Sequence, residues 1–582
     1  MKHTLLAFAL TFGCSAAMMA ESTVPEFAWA NLFDGATTAG DQTQGISIAG
    51  DGSVYWHNIG GSTESAPDIS YAGEVLFQGA PYNAGASNSG NLCIMKTDGD
   101  GNLLWNLHST TSDFSSNTGG VAATSEDGVI FTAKVRHTDG RLDDDMILVD
   151  GKGETHTFDW KVDRRYYRLL VGCLDADGSL KWTRFIDLST APAPAATGNS
   201  ADFTADAAEI TNPVVDADGN IYIGGYFRAD MTISGENGDV VLHPHNISTW
   251  TGDTQQNTGS LYVLKFNAEG EYVASLLDEG EADQSKILGL DIDGDKIYIN
   301  GSLLNAAGEQ KLGGVSYTGE GTFTPLIACI DTELTPVWVK TFKGEPIGGK
   351  YGYQNTSVTA CNGDLWLVGM FNGTVSDPAN PDNSFESTTG NIREGFILKL
   401  DAATGEWIKG VNSRESYPSI TMITGYLKAV QSPWHPEKVY VFGYVMTGAD
   451  AGVFMRTYDA TTLTSDADSA WKLATGGGVP TAYDCSFNEN GEHPLLYFTA
   501  RGNKAFVLGD YTTPAPQAWG VLMACYELPA ADFSTVVAEL AEENDSEAEY
   551  YTLSGIRLNG APTATGIYIR RSGTKSEKVF VK

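Results

Sequence analysis

Ile221-Tyr222-Ile223-Gly224-Gly225 sets a pattern of apolar, aromatic, apolar, any residue and Gly. The chain returns to it at Ile297-Tyr298-Ile299-Asn300-Gly301, Leu365-Trp366-Leu367-Val368-Gly369, Val439-Tyr440-Val441-Phe442-Gly443 and Ala505-Phe506-Val507-Leu508-Gly509. Copies without the Gly stand at Val54-Tyr55-Trp56 and Ile130-Phe131-Thr132, which makes seven. From Tyr222 onward the aromatics are spaced by 76, 68, 74 and 66 residues. β-Branched and aromatic residues in short runs ending on Gly read as strands.

A second pattern alternates with the first: a turn, then a strand with Trp. It gives Leu104-Trp105-Asn106, Lys181-Trp182-Thr183, Val337-Trp338-Val339, Glu406-Trp407-Ile408 and Ala470-Trp471-Lys472, with Tyr272-Val273-Ala274 in the same slot. The unit that the count leaves without a Trp strand is the last. The spare copy, Ala28-Trp29-Ala30, lies near the start of the chain. A ring of radial sheets closes in this way and leaves no open edge, whereas a linear solenoid needs terminal caps. The expectation is an all-β chain: a seven-bladed β-propeller closed by the N-terminal strand, plus a small C-terminal β-module.

Units of this length exceed a minimal blade of about 40–45 residues, so long loops are expected. With strands lettered a to d in each blade, Asp216-Ala217-Asp218-Gly219-Asn220 turns from a to b, and Asp175-Ala176-Asp177-Gly178-Ser179 from c to d. The b–c connections are long, at 62–90, 137–165, 229–259 and 372–391. Successive connections alternate between faces, so one face collects the insertions, where function usually sits.

Asp-x-Asp-Gly tetrads begin at Asp98, Asp175, Asp216 and Asp291. Calcium would require further oxygen ligands that are not consistently present; a hairpin turn requires only the Asp and a Gly at positive φ. On the insertions, His243-Pro244-His245 offers two nitrogens to a metal, but no third ligand is evident. The favoured ligand-binding residues are Trp160, Tyr166, Tyr167, His243, His245 and Trp250. Near the first three stand Asp143-Asp144-Asp145 and Arg164-Arg165. Aromatic, acidic and planar cationic groups together suit a glycan or peptide surface. Each of these residues also has a plain reading as loop packing. Cys173, Cys329 and Cys525 share one strand-c slot with Lys96, Lys265 and Lys399. Their blades are not adjacent, too far apart for a bridge, and they read as small buried side chains.

The 582 residues carry 36 Lys+Arg against 73 Asp+Glu, a formal charge of −37. That excludes a general nucleic-acid binder, which needs a basic footprint, and argues against adhesion to anionic membranes. No nucleophile elbow, phosphate-binding Gly loop, HExxH or Cys-x-x-Cys is present, and no cofactor is expected. The start, Met1-Lys2-His3, then Leu5 to Phe12, then small residues to Ala20, reads as a secretory signal peptide over 1–20. Lipidation at Cys14 is the poorer reading, because Thr11-Phe12-Gly13 makes a weak lipobox. No segment reaches transmembrane length without charges.

The expected domains are 1–20 signal peptide, 21–529 propeller, 530–549 acidic linker and 550–582 C-terminal module. In the last, Tyr550-Tyr551-Thr552-Leu553-Ser554-Gly555-Ile556-Arg557, Gly566-Ile567-Tyr568-Ile569-Arg570 and Lys578-Val579-Phe580-Val581-Lys582 follow in order. This tail resembles the C-terminal sorting domain of type IX secretion in Bacteroidetes-type bacteria, which implies export to the surface and secretion machinery as a partner. The repeats are similar to SBBP-type propeller repeats of secreted bacterial proteins. The functional expectation is a secreted or cell-surface propeller that binds a glycan, peptide or protein through its long-loop face without catalysis. The alternative is a glycan hydrolase or lyase using channel-mouth carboxylates.

Overall fold

In the computed structural model, six runs of four consecutive antiparallel strands stand one after another along the chain. The described residues are 25–35, 41–61, 67–80, 89–111, 114–136, 145–159, 167–188, 208–235, 238–245, 250–251, 254–255, 259–280, 282–345, 353–387, 394–413, 424–431, 436–446, 451–465, 470–488, 495–528, 538–539, 549–551, 558, 562, 566–572 and 575–581. The residues read as a signal peptide lie outside them.

The first run is Gln42–Ile48, Val54–Gly61, Ser89–Thr97 and Leu103–Ser109. The third shows the rule most plainly: Val214–Val215 pairs with Ile221–Phe227, which pairs with Ser260–Phe266, which pairs with Tyr272–Leu277. Further along, Thr481–Asn488, Leu495–Gly502 and Gly520–Glu527 form a sheet with Glu26–Asp34, in register from Glu26↔Glu527 to Asp34↔Gly520. First strands of successive runs pack on one another. The architecture is an all-β propeller. Two of its runs share one twelve-stranded sheet, because Ser89 and Gly90 also pair with Ser115 and Phe114.

The two sequence patterns are two halves of one contact. The Trp29 indole N–H donates to the Gly99 carbonyl at 2.9 Å, Trp105 to Ala176 at 2.9 Å, Trp182 to Ala268 at 3.1 Å and Trp338 to Ala402 at 3.2 Å. Each acceptor lies in the c–d turn of the following run. In three of those turns the first side chain caps the loop, as Asp98 Oδ1 accepts the amides of Asp100 and Asn102; in the turn from Asp175, Asp177 Oδ1 accepts the Ser179 amide and Asp175 pairs with Lys181. Asp216 Oδ1 likewise accepts the amides of Asp218 and Asn220 in an a–b turn. These bonds support the turn reading of the tetrads. Asp291 departs from it. Its carboxylate belongs to a strand and accepts the Ala360 amide of the next run at 2.7 Å.

One motif copy needs correction. Ala505-Phe506-Val507-Leu508-Gly509 is not a strand b; Leu495–Gly502 holds that place, with Leu496-Tyr497-Phe498 as its aromatic core. Phe506–Leu508 belongs to the insertion and pairs with the end of Ala470–Gly476. Alternation of apolar and aromatic residues marks any half-buried hairpin strand, so the motif alone does not distinguish the two.

That insertion follows a general arrangement. Each of six b–c insertions hydrogen-bonds as a hairpin or strand end to the tip of the preceding outer strand or its continuation. The pairs are Phe33↔Tyr71, Leu148↔Ser109, Ile186↔Ile233, Asp278↔Leu312, Gly344↔Val375 and Thr475↔Val507. The insertions are anchored at their bases.

The strand-c slot is as read. Lys96, Lys265 and Lys399 lie over the strand-b rings of Tyr55, Tyr222 and Trp366, at 5.1, 5.8 and 5.1 Å from the centroids. Cys173, Cys329 and Cys525 are buried free thiols.

Asp41, fully buried, accepts the Gly35 and Gly61 amides, both at 2.6 Å, and so ties an outer strand to a second strand. Burial pushes its pKa up to about 7 against the pull of those amides. The folded chain therefore holds a proton that the unfolded chain releases near pH 4. Asp41's contribution is complete below about pH 4 and is lost as pH rises toward 7. Urea melts of Asp41→Asn at both pH values should show a smaller pH slope than the parent. An unchanged slope contradicts this.

At the C-terminus, Gly566–Ser572 pairs with Lys575–Val581 and with Glu549–Tyr551 in a separate small sheet. Ala538–Glu539, inside the acidic stretch, adds a short parallel strand beside Val579 and Phe580.

Candidate functional site

The first strands carry polar side chains that reach sideways rather than into open space. Asp484 Oδ2 accepts the Ile46 amide at 2.9 Å, and Ser47 Oγ accepts the Ala123 amide at 2.8 Å. Lys428 donates to the Cys485 carbonyl at 2.8 Å and pairs with Asp484 at 3.3 Å. Burial pushes Asp291 up to about 6, against the Ala360 amide and the charge of Lys428. Burial also penalises the Lys428 ammonium, but Asp484, Cys485 and Asp291 outweigh it and hold its pKa above the usual value. The Asp291 and Asp484 carboxylates are thus committed to joints between blades.

The insertion face is the end at which b strands finish and c strands begin. Trp160 and Tyr166 lie outside the described residues. Tyr167 opens the strand Tyr167–Leu174, opposite Arg136. Trp250 lies on a two-residue strand opposite Gln255. His243 is exposed and its Nδ1 meets Asp230 Oδ1 at 2.9 Å. His245 turns inward. Its Nδ1 faces Asp278 Oδ1 at 3.1 Å and Ser260 Oγ at 2.7 Å, and its Nε2 donates to the Ala282 carbonyl at 3.1 Å. Burial disfavours a charged ring, yet Asp278 and Ala282 hold its pKa above the usual value. The two His therefore serve different carboxylates and do not converge on a common ligand set. His245 anchors its insertion.

A second group on this face was not singled out from sequence. Thr481 pairs with Arg501 and Arg501 with Val521, which brings together Tyr483, Arg501 and Trp519. The Arg501 guanidinium stacks on the Trp519 ring at 4.4 Å and donates to the Tyr483 phenol. Burial raises the Tyr483 pKa, and the charge of Arg501 opposes this. All three residues are half-buried. The signal available in sequence was an Arg closing a strand and a Trp, in Ala518-Trp519-Gly520, closing the insertion that follows it.

Among the described residues, Asp150, Glu154 and His156 have a metal-compatible donor set. Asp150, however, already accepts the amides of Lys152, Glu154 and Leu180 and the His156 ring N–H. That is the bonding of a turn cap.

No helix among the described residues is long and apolar enough to cross a membrane. No protein-family model and no curated protein matches the sequence. Among solved structures, the chain is similar to the polysaccharide lyase Uly1, at 11% identity and a TM-score of 0.38, over 86% of this chain and 98% of that one. It is also similar to Sqt1 from Chaetomium thermophilum, at 11% identity and a TM-score of 0.32, over 85% and 99%. A protein of unknown function from Bacteroides caccae matches at 8% identity and a TM-score of 0.26, over 69% and 97%.

Proposed function

We propose that this chain is an exported propeller that binds a glycan, peptide or protein on its insertion face without catalysis. The observation that carries the reading is the engagement of Asp291 and Asp484. Glycoside cleavage needs two carboxylates free to flank the scissile bond, whereas these two accept the Ala360 and Ile46 amides of neighbouring blades. The insertions, in contrast, are anchored at their bases and collected on one face, as suits a recognition surface. We read the ring as seven blades, the twelve-stranded sheet contributing two, with Glu26–Asp34 closing the last. The tail from residue 550 acts in this reading as the sorting signal that delivers the propeller to the surface.

Ligand contact is assigned to Trp160, Tyr166, Tyr167, His243 and Trp250, with His245 holding in place the insertion that carries His243 and Trp250. Trp160→Ala with Trp250→Ala should weaken retention of the ligand by at least ~2 kcal/mol, the cost of truncating a binding hot spot, and leave the melting temperature close to the parent's. Asp175→Ala, on the opposite face, should leave binding unchanged. A screen of polysaccharides with reducing-end detection tests the central claim: retention without turnover supports it, and release of new reducing ends refutes it.

A further inference from the structure

In a chain of charge −37, a guanidinium on the insertion face without an ion-pair partner is a conspicuous group. Among the described residues Arg501 forms no salt bridge, although the buried Asp41 carboxylate is near enough to feel its charge, and the buried Arg501 Nε has no acceptor. Nearby carboxylates are held by other groups: Asp41 by the Gly35 and Gly61 amides, Asp34 by the Gln517 amide at 2.9 Å, and Asp484 by the Ile46 amide and Lys428. The cation–π contact, 4.4 Å from the ring centroid, holds the guanidinium against Trp519. A planar cation held in one orientation loses little further entropy when it forms a two-pronged bond to a carboxylate.

We infer that Tyr483, Arg501 and Trp519 form a binding site for a carboxylate-bearing sugar, a uronate unit of a glycan. This rests on the binding reading above and names its ligand class. The groups offered to the ligand are guanidinium and indole N–H donors and the Tyr483 hydroxyl, so the complement is an anion rich in acceptors. The two aromatic side chains are apolar at the ring and polar at the tip, matching a sugar ring that carries hydroxyls at its rim. The negative charge of the whole chain does not forbid this. At physiological salt the Debye length is about 8 Å, so distant carboxylates are screened while a half-buried contact is not.

Calorimetric titration of the full chain with tri-galacturonate and with its methyl ester tests the site, because the ester keeps the rings and removes the charge. The acid should bind at least tenfold more tightly than the ester. Arg501→Gln should abolish that preference, and Arg501→Lys, which keeps the charge but not the fork, should retain only part of it. Melting temperatures report whether each variant is folded. Equal binding of acid and ester, or full acid binding by folded Arg501→Gln, overturns the inference; so does a parent chain that binds neither. The broader reading falls separately: it survives if a neutral glycan or a peptide is retained by the parent and lost with Trp160→Ala and Trp250→Ala.

Discussion

A chain lacking residues 21–35 is expected to lose most of its stability. The deletion removes Phe33, which is fully buried, and Trp29, whose indole N–H holds the Gly99 carbonyl. It also strips Gly520–Glu527 of its pairing from Glu26 to Asp34. Truncating one buried Phe alone costs ~3–5 kcal/mol, a sizeable part of the ~5–15 kcal/mol that sustains a typical domain. The newly bared strand edge adds a liability of its own. Scanning calorimetry should find a transition far below the parent's or none. If the truncated chain melts where the parent does, the proposed closure of the ring by Glu26–Asp34 is wrong.

The second large effect is expected at Gly405. This residue has φ +71°, and a Cβ there would stand 2.6 Å from the Trp338 ring of the preceding run. Gly363, in the a–b turn of the same run, has φ +81° and nothing within 4 Å of the corresponding position. Ala at Gly363 should cost only the left-handed backbone penalty, ~1–2 kcal/mol. Ala at Gly405 adds the overpacking cost of a displaced ring, a further ~1–3 kcal/mol. Denaturant melts of the two variants measure the difference. Repeating both in a Trp338→Ala background should erase it, as a double-mutant cycle requires for a direct contact. Equal losses in the parent background would mean that the Trp and the turn do not clasp each other.

The same contact explains why so much of the fold was legible in the sequence. The Trp strands and the Gly turns recur because Trp29, Trp105, Trp182 and Trp338 each seat on the turn of the next run, and both halves must be kept for these blades to join. Buried aromatics such as Tyr222 and Trp366 mark the second strands for a similar reason, since they lie beneath a strand-c Lys. The reading failed where a local pattern had two possible uses. Phe506 is apolar-flanked in an insertion as it would be in a blade. Asp291 precedes an Asp-Gly turn yet bonds to the neighbouring strand rather than to the turn.

The site was far less legible. His243 and His245 are two residues apart, and spacing invited a shared ligand, but the chain turns one outward and buries the other against Asp278. Tyr483, Arg501 and Trp519 are 18 residues apart in each step. Only strand register, Thr481 to Arg501 to Val521, sets them side by side. Composition and spacing carry no information about which strand lies beside which, so a group assembled from three strands leaves no linear trace.

The insertions have a consequence for how this molecule survives at high concentration. Leu104, Val273, Val337 and Ile408 stand exposed on outer strands, each about half accessible to solvent. An outer strand with free amides and apolar side chains is a template on which another chain can polymerise edge to edge. Insertions bonded at the tips of such strands, as at Leu148↔Ser109 on the Leu104 strand and Asp278↔Leu312 just beyond the Val273 strand, interrupt the flat edge that such a template needs. The segments proposed to present a recognition surface would thus also act as gatekeepers against fibre growth, and shortening them would trade specificity for self-association.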